Sequence, residues 1–252
     1  PSPPKPPPTP PPPPVTAASL SQRFRHGQPS NDLDSAGVLI HCFDHTTPTG
    51  DAPWRPCKGT GNAAWCRQYA DRASASLVNA RAPTLYSGGE ACIGIIVSAH
   101  ATGILCSYFH DGGTMLKLCQ SGDSWHAADQ ECVPGCSERD TGEPNWCDKS
   151  WGVENPLLYE CAWRPEDTVH MLEHHEAAPY SYNEVVLDTT QWNAHLPATI
   201  EAFVFAGGGD KARACAAFNA FLKEFPSANG VVPMVSYDEH DSHGAFGELD
   251  CS

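Results

Sequence analysis

The sequence predicts an α/β or α+β fold: a mixed sheet flanked by helices, carrying a disulfide-rich insertion and preceded by a polyproline II segment. Three observations predict it. Eleven of the first fourteen residues are proline. Short β-branched and aromatic runs between turn formers then alternate with helix-period stretches. Twelve cysteines follow at irregular spacings, five of them within residues 111–163.

Proline fixes φ near −65° and lacks a backbone donor, so residues 1–14 are barred from helix interiors and inner strands, and polyproline II remains. At roughly 3.1 Å per residue this rod reaches about 40 Å. A plain interdomain linker, a glycosylated stalk and a docking peptide for aromatic grooves all suit such a run, since any proline run satisfies P-x-x-P. Residues 15–36 are small and polar and read as a linker, with the globular domain over 37–252. No initiator methionine or signal-peptide pattern is present, which predicts a processed product or a fragment of a longer precursor.

Within the globular part, GVLIHCFD places a buried strand over 38–43. In WCRQYADRASASLVNARAP, Trp65, Tyr69, Ala73 and Leu77 recur every four residues, which predicts a helix ending before Pro83. Two apolar runs, 93–97 and 104–109, flank a small polar turn and predict a hairpin. Residues 111–163 hold few aliphatic residues and need disulfides for rigidity. Pro165 and Asp167 open a second helix. Strands follow over 182–188 and 199–206, joined by a turn-rich segment with Trp192 and Pro197. GGGDKAR then leads into a helix with apolar positions Ala214, Phe218, Phe221, Leu222 and Phe225, and a last strand covers 231–237.

The charge balance limits the partners. Thirty acidic residues against fifteen basic ones give a net charge of −15, which repels nucleic acid and anionic lipid. The longest aliphatic run, 93–97, is far short of the roughly twenty residues of a membrane span. Cys42, Cys57, Cys66, Cys92, Cys106, Cys119, Cys132, Cys136, Cys147, Cys161, Cys215 and Cys251 form an even set without C-x-x-C, which predicts disulfides and an extracellular location. Their pairing is open. A zinc site on Cys119, Cys132, Cys136 and Cys147 is disfavoured, because an oxidising compartment competes for those thiols.

Each candidate for chemistry has a blander competitor. HMLEH satisfies H-x-x-E-H, with His170 and His174 on one helical face as zinc ligands and Glu173 as base, but a solvated helix face explains it more cheaply. GGGDKAR opens a helix whose amides suit an anion, yet it lacks the Walker spacing and reads as a surface turn. Asp238, Glu239, His240, Asp241 and His243 lack EF-hand spacing and read as a polar tail. No G-x-S-x-G occurs, so no catalytic residue and no cofactor is assigned. Trp54, Trp65, Trp125, Trp146, Trp151, Trp163 and Trp192 sit mostly beside cysteines, where sealing small cores is the default and sugar contact the alternative. N-x-Ser/Thr acceptors are absent, Asn145 in NWC being marginal and Asn155 preceding proline, so carbohydrate belongs on the leader.

The leader SPPKPPPTPPPPP joined to a cysteine-rich region resembles the hydroxyproline-rich glycoproteins of green-algal cell walls and surface fibres. The blocks YNEVVLDTTQWNAHLPATIEAFVF and CSYFHDGGTM are similar to segments of secreted proteins of algae and other protists. The resemblance implies prolyl hydroxylation, with O-linked arabinose or galactose, at Pro3, Pro4, Pro6, Pro7, Pro8, Pro10, Pro11, Pro12, Pro13 and Pro14. Lys5 and Thr9 interrupt the Ser-Pro repeat of the best known members. The resulting expectation is a structural extracellular glycoprotein whose partners are O-linked glycans and other matrix or fibril subunits, itself included. The alternative is a wall-anchored hydrolase or carbohydrate-binding protein.

Overall fold

The computed structural model describes residues 14–27, 33–42, 52, 54–55, 72–80, 83–85, 92–108, 183–207, 210–238, 240–241 and 245–251. The polyproline run before Pro14, the whole of the cysteine-rich insertion over 111–163 and the helix expected after Pro165 lie outside the described residues.

The described residues build an eight-stranded mixed sheet between helices. Its strands are β1 (Val38–Cys42), β2 (Arg72–Val78), β3 (Cys92–Val97), β4 (Ile104–Tyr108), β5 (Glu184–Asp188), β6 (Ile200–Ala206), β7 (Met234–Tyr237) and β8 (Phe246–Glu248). Their order is β4-β5-β2-β1-β3-β6-β7-β8. All neighbours are antiparallel except β6 and β7, which run parallel. That one parallel pair is bridged by a helix, as a crossover requires. The helices are α1 (Ala17–His26), α2 (Leu33–Ala36), α3 (Ala99–Thr102), α4 (Thr189–Ala194) and α5 (Lys211–Glu224).

Strand alternation sorts the core into two layers. Leu39, Leu77, Ile95, Val97, Phe203 and Met234 face Ala214 and Phe221 of α5 and Trp192 of α4. Val38, Ile40, Ile96, Val204, Val235 and Tyr237 face Ala17, Leu20 and Phe24 of α1. Helix α5 starts where the sequence places it: the Asp210 side chain accepts from the Arg213 amide at 3.2 Å and caps the first turn. Of its expected apolar positions, Ala214 and Phe221 are fully buried, while Phe218, Leu222 and Phe225 pack partly buried against the same core. Replacing Asp210 by alanine is expected to cost about 1 kcal/mol, read as a lower urea midpoint at unchanged slope.

Four expectations are corrected. The helix expected through Ala73 and Leu77 is instead strand β2 over its described part. A spacing of four satisfies a period of two as well as one of 3.6, and the small Ser and Ala residues concealed the alternation. Pairing decides it: β2 lies between β1 and β5, and Asn183 extends the β2–β5 ladder by donating to the Leu77 carbonyl at 2.7 Å and accepting from its amide at 2.8 Å.

The hairpin expected from β3 and β4 does not form. Strand β3 is occupied on both sides by β1 and β6, while β4 pairs with β5. Four strand spacings, roughly 19 Å at about 4.8 Å each, separate β3 from β4 along the sheet. The connection is only residues 98–103, four of them coiled in α3, so the sheet must curl to bring the strand ends together. Ser98 N donates to Thr199 O at 3.1 Å and Asp188 N to Gly103 O at 3.3 Å, and α3 packs on α4 at this meeting point.

The linker expected over 15–36 contains α1 and α2, and α1 is part of the core. Finally, the turn-rich segment before β6 holds α4, whose Trp192 is fully buried, and β8 extends the sheet beyond the last expected strand.

Candidate functional site

The most elaborate polar construction among the described residues seats α1 on the sheet. It begins with the sequence TAASLSQRFRH. Thr16 accepts from the Ser19 amide at 3.1 Å and Ser19 Oγ accepts from the Thr16 amide at 2.9 Å, a reciprocal cap that starts the helix two residues after Pro14. Ala17, Leu20, Ser21 and Phe24 then fall on one buried face. Phe24 meets Tyr237 and Phe246 edge-on, with centroids 6.0 and 6.3 Å apart. Ser21 Oγ accepts from Phe246 N at 3.1 Å and donates to Phe246 O at 3.0 Å, so a helix side chain satisfies backbone groups of the edge strand β8. This covers the edge where another strand would otherwise pair.

Arg23 fixes the far end of α1. Its Nη1 donates to Glu201 Oε2 at 2.6 Å, its Nε and Nη2 donate to Gly37 O at 3.3 and 3.2 Å, and Nη2 lies 3.7 Å from Asp34 Oδ1. Glu201 sits at an irregularity in β6, where the register passes from Ile96↔Ala202 to Val97↔Ile200 and leaves residue 201 unpaired. Such a bulge re-aims one side chain. Asp34 in turn accepts from Ser98 Oγ at 3.2 Å and Ala99 N at 3.1 Å, and His100 Nε2 lies 3.7 Å from its Oδ2. Burial raises the Glu201 pKa above the ordinary carboxylate value, opposed by the charge and hydrogen bond of Arg23. Arg23, Asp34, His100 and Glu201 come from four elements, and no sequence motif joins them. The one available signal was the apolar spacing of α1.

A second polar group lies where β1 and β2 part. Their register ends at Ile40↔Ser76, and the His41 ring donates from Nδ1 to the Ser74 carbonyl at 2.7 Å in place of a further ladder bond. The ring stands edge-on to Trp192 at 5.3 Å and 87°. Burial pushes the imidazole pKa down, against the raising effect of the Ser74 bond, so the ring is held neutral. The Ser74 hydroxyl donates to the buried Glu184 carboxylate, not to His41. Because the imidazole faces a peptide oxygen, the three do not form a nucleophile–base relay.

The sequence candidates fall as follows. Cys42 is bonded to Cys92 and Cys215 to Cys251, each with Cα atoms 5.3 Å apart. Cys106 lies in β4, and Cys57, Cys66, Cys119, Cys132, Cys136, Cys147 and Cys161 lie outside the described residues, as do His170 and His174. Trp54 and Trp192 seal core, as expected by default, and the other five tryptophans lie outside. At GGGDKAR, Asp210 supplies the negative group at the helix start itself. Asp238, His240 and Asp241 are exposed, and among the described residues no group of three or more His, Cys, Asp and Glu converges as a metal site. Pro14 is exposed, and the other leader prolines lie outside the described residues. No helix among the described residues is long and apolar enough to cross a membrane. No protein-family model matches this chain, and no curated protein matches it.

Proposed function

We propose that the chain is a secreted structural glycoprotein, a polyproline rod carried on a disulfide-stapled head that contacts other subunits of a wall, matrix or surface fibre. The observation that carries this reading is the junction. Helix α1 is capped at Thr16, two residues after the last proline of the run, and is bound to the sheet through Phe24, Ser21 and Arg23. A stiff rod entering a fixed helix passes orientation and load to the head without slack, as suits an assembled subunit more than an enzyme on a flexible tether. The disulfides support an oxidising compartment, where such proteins are found. A preformed rod also gives up little conformational entropy on assembly.

Peptide-level mass mapping of residues 1–16 in native material tests the reading. Hydroxylated, sugar-bearing prolines among Pro3 to Pro14 are the expected result. Bare prolines would overturn it, reduce the leader to a linker, and favour the wall-anchored hydrolase or carbohydrate-binding alternative.

A further inference from the structure

Asn229–Gly230 is the one Asn-Gly step in the sequence. It forms an exposed bend between helix α5 and strand β7, just after the short 3₁₀ turn Pro226–Ala228. Asn229 has φ −64° and ψ 127° and Gly230 has φ 73°, the angles of the two central residues of a type II turn. Val231 N closes the turn onto Ala228 O at 3.0 Å, and Val232 N donates to the same carbonyl at 2.9 Å. Among the described residues the Gly230 amide donates to no backbone oxygen, and nothing lies within 4 Å of where a Cβ on Gly230 would stand. Type I and type II turns differ by rotation of their central peptide while the outer residues stay in place. Here the central peptide is Asn229–Gly230. Its rotation carries the Gly230 nitrogen past the Asn229 side chain, and glycine places no side chain in the way.

We propose that Asn229–Gly230 is a self-modifying site, where the turn itself converts asparagine to aspartate and isoaspartate, and that the isoaspartyl form loosens the entry to β7. In the first step the Gly230 nitrogen bonds to Asn229 Cγ, the Cγ–Nδ2 bond breaks, and the Gly230 amide proton is lost with Nδ2 as ammonia. The resulting five-membered imide takes up one water at either ring carbonyl. Opening at the side-chain carbonyl leaves aspartate. Opening at the main-chain carbonyl leaves isoaspartate, whose backbone runs through Cβ and Cγ and is one atom longer. Only water is consumed, and nothing is oxidised or reduced. The aspartyl form adds an exposed charge and no more. The isoaspartyl form lengthens a turn whose two ends are fixed: Ala228 and Val232 are 3% and 6% exposed, and Pro233 O accepts from Phe203 N of β6 at 2.9 Å. The misfit therefore falls on the bonds to Ala228 O and on the parallel β6–β7 pair. This inference is independent of the role proposed for the leader.

Mass-spectrometric peptide mapping of the full, disulfide-intact chain, aged in mildly alkaline buffer and with aspartyl and isoaspartyl peptides separated, tests this. Position 229 is expected to convert at least about tenfold faster than Asn183, held at both ends of its amide by Leu77, or Asn219 inside α5, because neither can bring the next amide nitrogen onto its own side chain. Asn229→Gln, which could close only a six-membered ring, is expected to abolish the conversion at an unchanged urea midpoint. Fractionated isoaspartyl protein is expected to unfold at lower urea than Asn229→Asp, with which it is isomeric. If Asn229 persists in the folded chain under conditions that convert it in the reduced, urea-unfolded chain, the turn protects the residue and the site is overturned. Equal midpoints for the isoaspartyl form and Asn229→Asp would overturn the effect on β7.

Discussion

Gly94→Val is expected to leave Cys42 and Cys92 as free thiols and to lower stability by about 4 kcal/mol or more. Gly94 lies opposite Cys42 in the β1–β3 register, and Cys92 lies two residues before it, so the disulfide runs diagonally over the glycine. A Cβ at position 94 would stand 2.4 Å from the His41 carbonyl oxygen, 3.1 Å from Cys42 Cα and 3.1 Å from Cys92 Sγ. Backbone atoms on a central strand cannot yield, so the strands must separate. Overpacking of this kind costs about 1–3 kcal/mol and occasionally more. The lost bridge, which spans 50 residues, adds about 4 kcal/mol in the chain-entropy account. Thiol titration of the folded protein and urea denaturation read both effects. A fully oxidised variant of unchanged midpoint would refute the expectation. Replacing both cysteines by serine separates the contributions, since the contact with the His41 carbonyl then persists without the bridge.

Trp192→Ala is expected to cost about 3–5 kcal/mol, the range for emptying a buried aromatic site. Trp192 is completely buried, and its Nε1 donates to the Trp54 carbonyl at 3.1 Å. Its ring closes the space beside His41, where α4 covers the curled part of the sheet. The alanine variant leaves a cavity and an unpaired carbonyl together. Trp192→Phe keeps much of the ring and is expected to lose about 1 kcal/mol with the hydrogen bond, plus a smaller packing term. Equal denaturation midpoints for the two variants would contradict this division. The same site has its own pH dependence. Because burial lowers the His41 pKa, its contribution to stability is present above the ordinary imidazole value of 6.5 and is lost as pH falls below it, opposite in sign to Glu201.

Particular residues separate what the sequence determined from what the tertiary structure decided. Strands β1, β5, β6 and β7 and helix α5 were legible, because Val, Ile and Phe runs bounded by Gly, Pro or Asp carry their own period and their own stops. The bonding of Cys42, Cys92, Cys215 and Cys251 followed from cysteine count and spacing, though their partners did not. Helix α1 carried a readable apolar spacing at Ala17, Leu20 and Phe24, hidden by a composition that resembles a linker. The seat of α1 was not legible at all, since Arg23, Asp34, His100 and Glu201 meet only after α1, α2, α3 and β6 are assembled.

Where side chains are small, the local code is degenerate. In RASASLV, Ala73 and Leu77 suit a helix face and a strand face equally, and only the open edges of β1 and β5 select the strand. The β3–β4 pair failed for a related reason: nearness in sequence favours a hairpin, but β3 gains a disulfide, a ladder with β1 and a six-residue ladder with β6 by pairing elsewhere. The sequence by itself therefore determined the fold class, the strongest strands and the oxidised chemistry, because these rest on composition and short-range period. Strand order, the fate of weakly patterned segments and the clustering of charge were decided by tertiary structure, because they depend on which surfaces compete for the same edge once the sheet has curled.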